Sequence, residues 1–284
     1  MYDYLISPFV EYDFMRIALL AILYQSIGTT PIGVFLIMRR MSLVGDALSH
    51  AILPGVALGF LIAFLNPVVM SLMGLLTGLL MIFVSTIATK KTGLQEDANF
   101  AGFYLTCLAL GVILISKYGT STDLMDFLFG SLFQVNHNGL LWIASITTTT
   151  LVLLAIIYRA LYVESIEPIF LKIVKAKGSI FLIIFQFLIV LNLVGGFQTL
   201  GTLLSVGLMM IPAITAKLWF SRMESILIGA FCFAFINGII GLLLSFYVDV
   251  ASGAMIILCC GIFYMFSLFI GPNSGILFQQ YQKH

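Results

Sequence analysis

Asp46 and His50 are the residues whose types and spacing best support chemistry. They stand in Ser42-Leu-Val-Gly-Asp46-Ala-Leu-Ser-His50-Ala-Ile-Leu-Pro54, a stretch that carries no other ionisable side chain. A carboxylate and an imidazole four positions apart lie one above the other on a single helix face. They make a borderline-hard ligand set suited to manganese, iron or zinc, and they lack the thiolates that copper favours. Pro54 has no N–H to offer the carbonyl four positions earlier, so a helix leaves the His50 carbonyl free to serve as an oxygen ligand or to hold water. Two side chains do not complete a four- to six-coordinate shell. A second copy of the chain with the pair at a two-fold axis, water, or another helix would complete it. Two plainer readings stand beside this one. Asp46 and His50 pair with each other as a structural contact, or Asp46 lies near a surface and is solvated.

The elements that position this pair follow from composition. Of the 284 residues, 61% are hydrophobic and only 9% are charged, against about 25% in an ordinary soluble domain. So little charge cannot solvate a globule of this size, and lipid must be the main solvent. A bilayer core about 30 Å thick takes about 20 apolar residues per helix. Nine runs qualify, at 17–38, 42–64, 67–89, 98–116, 139–158, 179–195, 199–219, 225–247 and 253–271. The expected architecture is an all-α, polytopic membrane bundle with 1–284 as a single transmembrane domain. The division at Asn66-Pro67 is the weakest, which leaves eight spans as the alternative. A rise of about 1.5 Å per residue from Ser42 places His50 roughly 12 Å into the membrane, close to its midplane.

Basic residues favour the cytoplasmic side of a membrane protein. With the amino terminus outside, Arg39, Arg40, Lys90, Lys91, Arg159, Lys172, Lys175, Lys177, Lys217, Arg222 and Lys283 fall inside, and only Arg16 and Lys117 fall outside. That split of 11 against 2 among the 13 basic residues supports nine spans, an outside amino terminus and an inside carboxyl terminus. The first residues, MYDYLISPFVEYDF, are acidic and show no removable signal peptide. The longest outside segment, Lys117 to Asn138, contains STDLMDFLFGSLFQV, which suits either a short interfacial helix or an ordinary connector.

The remaining signals concern packing and exclusion. Gly55-x-x-x-Gly59 and Gly74-x-x-x-Gly78 each put two glycines on one face, as close helix contacts require. Pro31, Pro54 and Pro212 interrupt spans and suggest a bundle built around a pathway. Cys107, Cys232, Cys259 and Cys260 sit in apolar runs without a CxxC pair and read as inert thiols. A net charge of +1 argues against a nucleic-acid partner. The chain has no GxxxxGK[ST] to cradle a nucleotide and no serine–histidine–acid set, so any ATP hydrolysis belongs to a partner. His137 reads as a surface residue, and His284 is terminal.

Arg39-Arg-Met-Ser-Leu-Val-Gly-Asp46-Ala-Leu-Ser-His50-Ala-Ile-Leu-Pro54-Gly-Val-Ala-Leu-Gly59 resembles the signature segment of the ABC-3 metal permease family. Glu96-Asp97-Ala98, Ala109-Leu-Gly111, Ser121-Thr-Asp123, Phe127-Leu-Phe-Gly130 and Gly201 to Ala216 are similar to further family segments, so the likeness covers nearly the whole chain. The resemblance implies a type II ABC importer arrangement in the bacterial cytoplasmic membrane. Two permease copies would surround one pathway, two ATPase subunits would dock inside, and an extracytoplasmic metal-binding protein would deliver a divalent ion outside. Asp46 and His50 match the family's intramembrane coordination positions. The inside loop, about 159–178, resembles its coupling loop, with Glu164, Glu167, Pro168 and Phe170 as the residues that would meet the ATPase. Tyr247-Val-Asp249-Val-Ala251-Ser-Gly253 departs from the Asp-x-Pro-x-Gly of many zinc-type members, with Ala251 in place of the proline, which favours manganese or iron. Asp249 would stand at an outer mouth, as a cation attractor or as a plain solvated charge. An ion-coupled secondary transporter would show inverted repeats and several buried charges. A permease for a metal chelate or cobalamin would need no small-ion ligand pair, and a membrane scaffold would have little use for a midplane carboxylate.

Overall fold

A computed structural model of the chain describes residues 6–63, 66–92, 96–118, 132–166, 178–273 and 275. Every regular element among them is helical. After a short α1 (Ser7–Glu11) come α2 (Asp13–Met38), α3 (Ser42–Ala63), α4 (Pro67–Thr92) and α5 (Glu96–Tyr118). A 3₁₀ turn at Leu132–Gln134 precedes α6 (His137–Ile166), α7 (Gly178–Leu200), α8 (Thr202–Trp219), α9 (Met223–Val248) and α10 (Ser252–Ile270). The nine long helices match the nine apolar runs one for one. Pro67 opens α4 at its first turn, where a missing N–H costs nothing, so the Asn66-Pro67 break is a true division. The marginal span lies elsewhere. Among the described residues eight helices are long and apolar enough to cross a bilayer, whereas the apolar stretch of α5 is shorter, Ala98–Leu114.

α2 forms the centre of the bundle, packed against α6, α8 and α9 and more lightly against α7 and α3. Its buried residues occur on every side, from Met15 to Leu36, as a helix enclosed by other helices requires. Three helices, α3, α4 and α5, form one flank, and α8, α9 and α10 form the other. Among the long helices α5 touches α3 and α4, and its Leu105, Leu110, Val112 and Ile113 face away from the bundle.

Glycines set the tightest approaches. A Cβ at Gly59 would lie 2.8 Å from Met70 Cα, and one at Gly55 would overlap the Met73 carbonyl of α4. From α4, Gly74 faces Ile52 and Val56, and Gly78 faces Ile52 and Val190. Both glycine pairs therefore work within one chain, closing α3 on α4 and α4 on α7. Midway along α2 a polar layer interrupts the apolar core. Gln25, Ser26, Thr29 and Thr30 are buried there. Nearby, Thr147 donates to the Tyr24 carbonyl at 3.0 Å, and the Asn192 amide donates to Thr150 Oγ1 at 2.7 Å.

The two ends of the bundle differ in charge. Helix alternation gathers Arg39, Arg40, Lys91, Arg159, Lys217 and Arg222 at one end, with Arg16 and Lys117 at the other. Contacts across each end fix this grouping. At the basic end Arg39 reaches Glu164, and the Asn273 amide lies 3.4 Å from the Lys217 carbonyl and 3.3 Å from that of Phe220. At the other end Tyr12 meets Phe246, and the Leu132 N–H donates to Ser252 Oγ at 3.1 Å. That turn tucks Leu132 and Val135 into the core. The preceding residues of the outer segment, 119–131, lie outside the described residues.

One boundary departs from expectation. α6 continues to Ile166 rather than ending at residue 158. A charge at Arg159 ends an apolar run but not a helix, because a long basic side chain can reach away from the apolar surface while Leu161, fully buried, continues the packed face. The helix therefore runs about two turns into the loop expected from residue 159.

Candidate functional site

α3 begins at Ser42 with its first N–H groups following the turn that ends α2. That turn is a Schellman motif: Met41 N–H bonds the Leu36 carbonyl, Arg40 N–H bonds Ile37, and Arg40 takes the left-handed conformation at φ 59°. Asp46 then falls at the fifth position of α3 and His50 at the ninth, near the middle of a 22-residue helix. Gly45 lets α8 close in beside them. A Cβ there would lie 2.6 Å from Met209 Cε, with Met210 Sδ at 3.7 Å.

The pair itself is open. His50 Nε2 and Asp46 Oδ1 are 3.8 Å apart, too far for a hydrogen bond. The side chains are 33% and 62% exposed, respectively, on the outer face of the chain with Leu43. The contact between them is thus at most an ion pair, without a hydrogen bond. Two atoms 3.8 Å apart still lie within the span of about 4.2 Å that two ligand bonds of 2.0–2.2 Å can bridge. Ser49 Oγ donates to the Asp46 main-chain carbonyl at 2.6 Å and leaves the carboxylate unused. α3 runs unbroken through Pro54, and among the described residues no donor from outside α3 reaches the His50 carbonyl. At the same level α5 presses close: a Cβ at Gly111 would lie 3.2 Å from Pro54 N. No group of three or more histidine, cysteine, aspartate or glutamate side chains gathers among the described residues, so one chain offers this pair and no fuller shell.

The other candidate residues sit elsewhere. Glu164 lies in the last turn of α6, only 17% exposed, with its carboxylate 3.5 Å from the Arg39 guanidinium. Its partner is thus inside its own chain. Glu167, Pro168 and Phe170 fall in 167–177, outside the described residues. Asp249 is exposed at the opposite end of the bundle, where it caps α9 in the left-handed conformation at φ 56°. Its N–H bonds the Ser245 carbonyl at 3.0 Å, and Ser245 Oγ bonds the Val250 carbonyl at 2.7 Å. His137 is an exposed first residue of α6, as expected. The four cysteines are free thiols within α5, α9 and α10.

Sequence reasoning passed over Tyr104. Its ring stacks on the His50 imidazole, with centroids 5.9 Å apart and planes inclined by 28°. The spacing Phe100, Tyr104, Cys107, Gly111 marks the inner stripe of α5. That pattern identifies the face but not the residue opposite.

The model of the ABC 3 transport family matches residues 11–271. The chain belongs to that family. Its relatives match from end to end. The manganese import system permease protein ScaB of Streptococcus parasanguinis is 31% identical over 277 residues, covering 96% of this chain and 95% of the relative. The manganese transport system membrane protein MntC of Listeria monocytogenes serovar 1/2a is 30% identical over 271 residues, covering 95% of each. Among solved structures, PsaBC from Streptococcus pneumoniae in complex with Fab superposes with a TM-score of 0.86 at 29% identity, covering 100% of this chain and 99% of that one. As a family member, the chain is a multi-pass membrane component of a bacterial ABC import system. It is a permease subunit rather than the hydrolytic one.

Proposed function

We propose that this permease carries manganese into the cell and that Asp46 and His50 are its intramembrane ligands. The observation that carries the reading is a carboxylate and an imidazole one turn apart on an open face of α3, too far apart to share a hydrogen bond. An ionisable group at membrane depth must face protein or a water-filled cavity. A second copy of the chain, placed with this face toward the first, supplies that environment and brings four ligands to one pathway. The relatives named for manganese transport support the choice of ion. The acid–imidazole set fits it, with water or the His50 carbonyl available to fill further positions.

The basic end of the bundle is the cytoplasmic end, consistent with the preference of lysine and arginine for that side. Two ATPase subunits dock there, on the segment after α6 that carries Glu167, Pro168 and Phe170. The amino terminus and Asp249 lie outside, where an extracytoplasmic metal-binding protein delivers the ion and Asp249 adds negative charge to the mouth. The test is metal analysis of cells lacking this chain. Depletion of cell manganese, restored by the chain only when its ATPase partner is present, supports the reading. Selective depletion of zinc or iron reassigns the cargo, and uptake that persists without any ATPase favours an ion-coupled transporter.

A further inference from the structure

The geometry points to Tyr104 as a positioning residue for the metal ligand His50, an inference that rests on the metal reading of the Asp46–His50 pair. A histidine on an open face has two side-chain torsions free to carry its ring away from Asp46. Three observations show what restrains it. The phenol ring of Tyr104 lies over the imidazole at 5.9 Å between centroids and 28° between planes, within the range of attractive offset stacking. Tyr104 is itself seated by the inner stripe of α5: Phe100 is buried in the main core, and Tyr104 and Cys107 pack against that core. Gly111, one further turn along the same stripe, lets the backbone of α5 approach Leu53 and Pro54 to a distance that a Cβ would reduce to 3.1–3.2 Å. The helix bearing the ligand and the helix bearing the stack are thus pinned together next to the site.

Among the described residues no side-chain hydrogen bond holds His50 from the other side. Its ion-pair partner among them is Asp46, 3.8 Å away and the other proposed ligand. In metal sites the group that orients a ligating histidine is usually a hydrogen-bond acceptor, and its loss weakens affinity about 10- to 100-fold. Here the ring of Tyr104 takes that orienting part by stacking, and the aromatic face rather than the hydroxyl does the work. Tyr104→Phe therefore retains the function, and a ring-free residue of similar bulk does not.

The test is Mn²⁺ titration of the full chain purified in detergent, followed by the electron paramagnetic resonance of free Mn²⁺. Pulsed measurements then detect ¹⁴N coupling from a coordinated imidazole. Asp46→Asn and His50→Ala run in parallel. The expected result is that both of these abolish binding, Tyr104→Phe stays within about twofold of the parent, and Tyr104→Leu weakens binding about tenfold with loss of the ¹⁴N signal. Tyr104→Ile guards against a packing defect peculiar to leucine and should lose the same signal while the apo melting temperature holds. Loss of binding in His50→Ala with parent-like affinity and ¹⁴N coupling in both Tyr104→Leu and Tyr104→Ile would overturn the positioning role alone. Parent-like binding in His50→Ala would overturn that role together with the metal reading beneath it.

Discussion

Arg39, at the end of α2, and Glu164, in the last turn of α6, bring their charged groups within 3.5 Å, with each side chain less than one-fifth exposed. The pair joins the turn that leads into α3 to the last turn of α6. Removing one partner leaves the other charge largely buried and unpaired, which is the costly case. Arg39→Met and Glu164→Gln should each lower the melting temperature of the purified chain, and the double variant should lose less than the sum. A double-mutant cycle is expected to give a coupling of about 1 kcal/mol or more. Additive effects would mean that the two groups do not interact in the membrane.

Gly33 faces the Met209 main-chain carbonyl so closely that any Cβ would overlap it. A backbone atom cannot yield as a flexible side chain can. Gly33→Ala should cost about 3 kcal/mol and reduce recovery of folded chain. By contrast, a Cβ at Gly261 meets nothing within 4 Å. Gly261→Ala should leave stability unchanged or raise it by up to about 1 kcal/mol through helix propensity. Thermal unfolding in detergent distinguishes the two.

Arg40 occupies the left-handed position of the Schellman turn at φ 59°, where a side chain is strained and glycine is not. Arg40→Gly should raise stability by about 1 kcal/mol, read as an increase in melting temperature. A decrease would show that the Arg40 charge contributes more than its backbone costs.

Docking of the ATPase is expected to depend on the segment after α6. Glu167→Lys should reduce recovery of the ATPase with the tagged permease without altering membrane insertion. Undiminished recovery would move the docking surface elsewhere.

Much of this architecture was legible in the sequence because the membrane imposes a coarse rule. Apolar runs of about 20 residues must be helices, and all nine appear. Asp46 and His50 stood out because charge is rare at that depth. The contacts that refine the site were less visible because they join residues far apart in sequence. Tyr104 is one aromatic among the 25 Phe, 11 Tyr and 2 Trp, and only the fold places it on His50. Glu164 read as part of a surface loop because Arg159 ended the apolar run, whereas the helix continues and delivers it to Arg39. Asp249 read as a mouth residue on charge alone. Its left-handed backbone adds a second reason for aspartate there, since a short polar side chain tolerates that conformation.

The proposed route of the cargo runs through the Asp46–His50 pair. Its most direct test is manganese uptake by cells whose copy of this chain carries Asp46→Asn or His50→Ala, with membrane insertion and assembly with the ATPase checked in the same cells. Each variant is expected to insert and assemble normally and to lose uptake. Normal uptake by both variants would contradict the assignment.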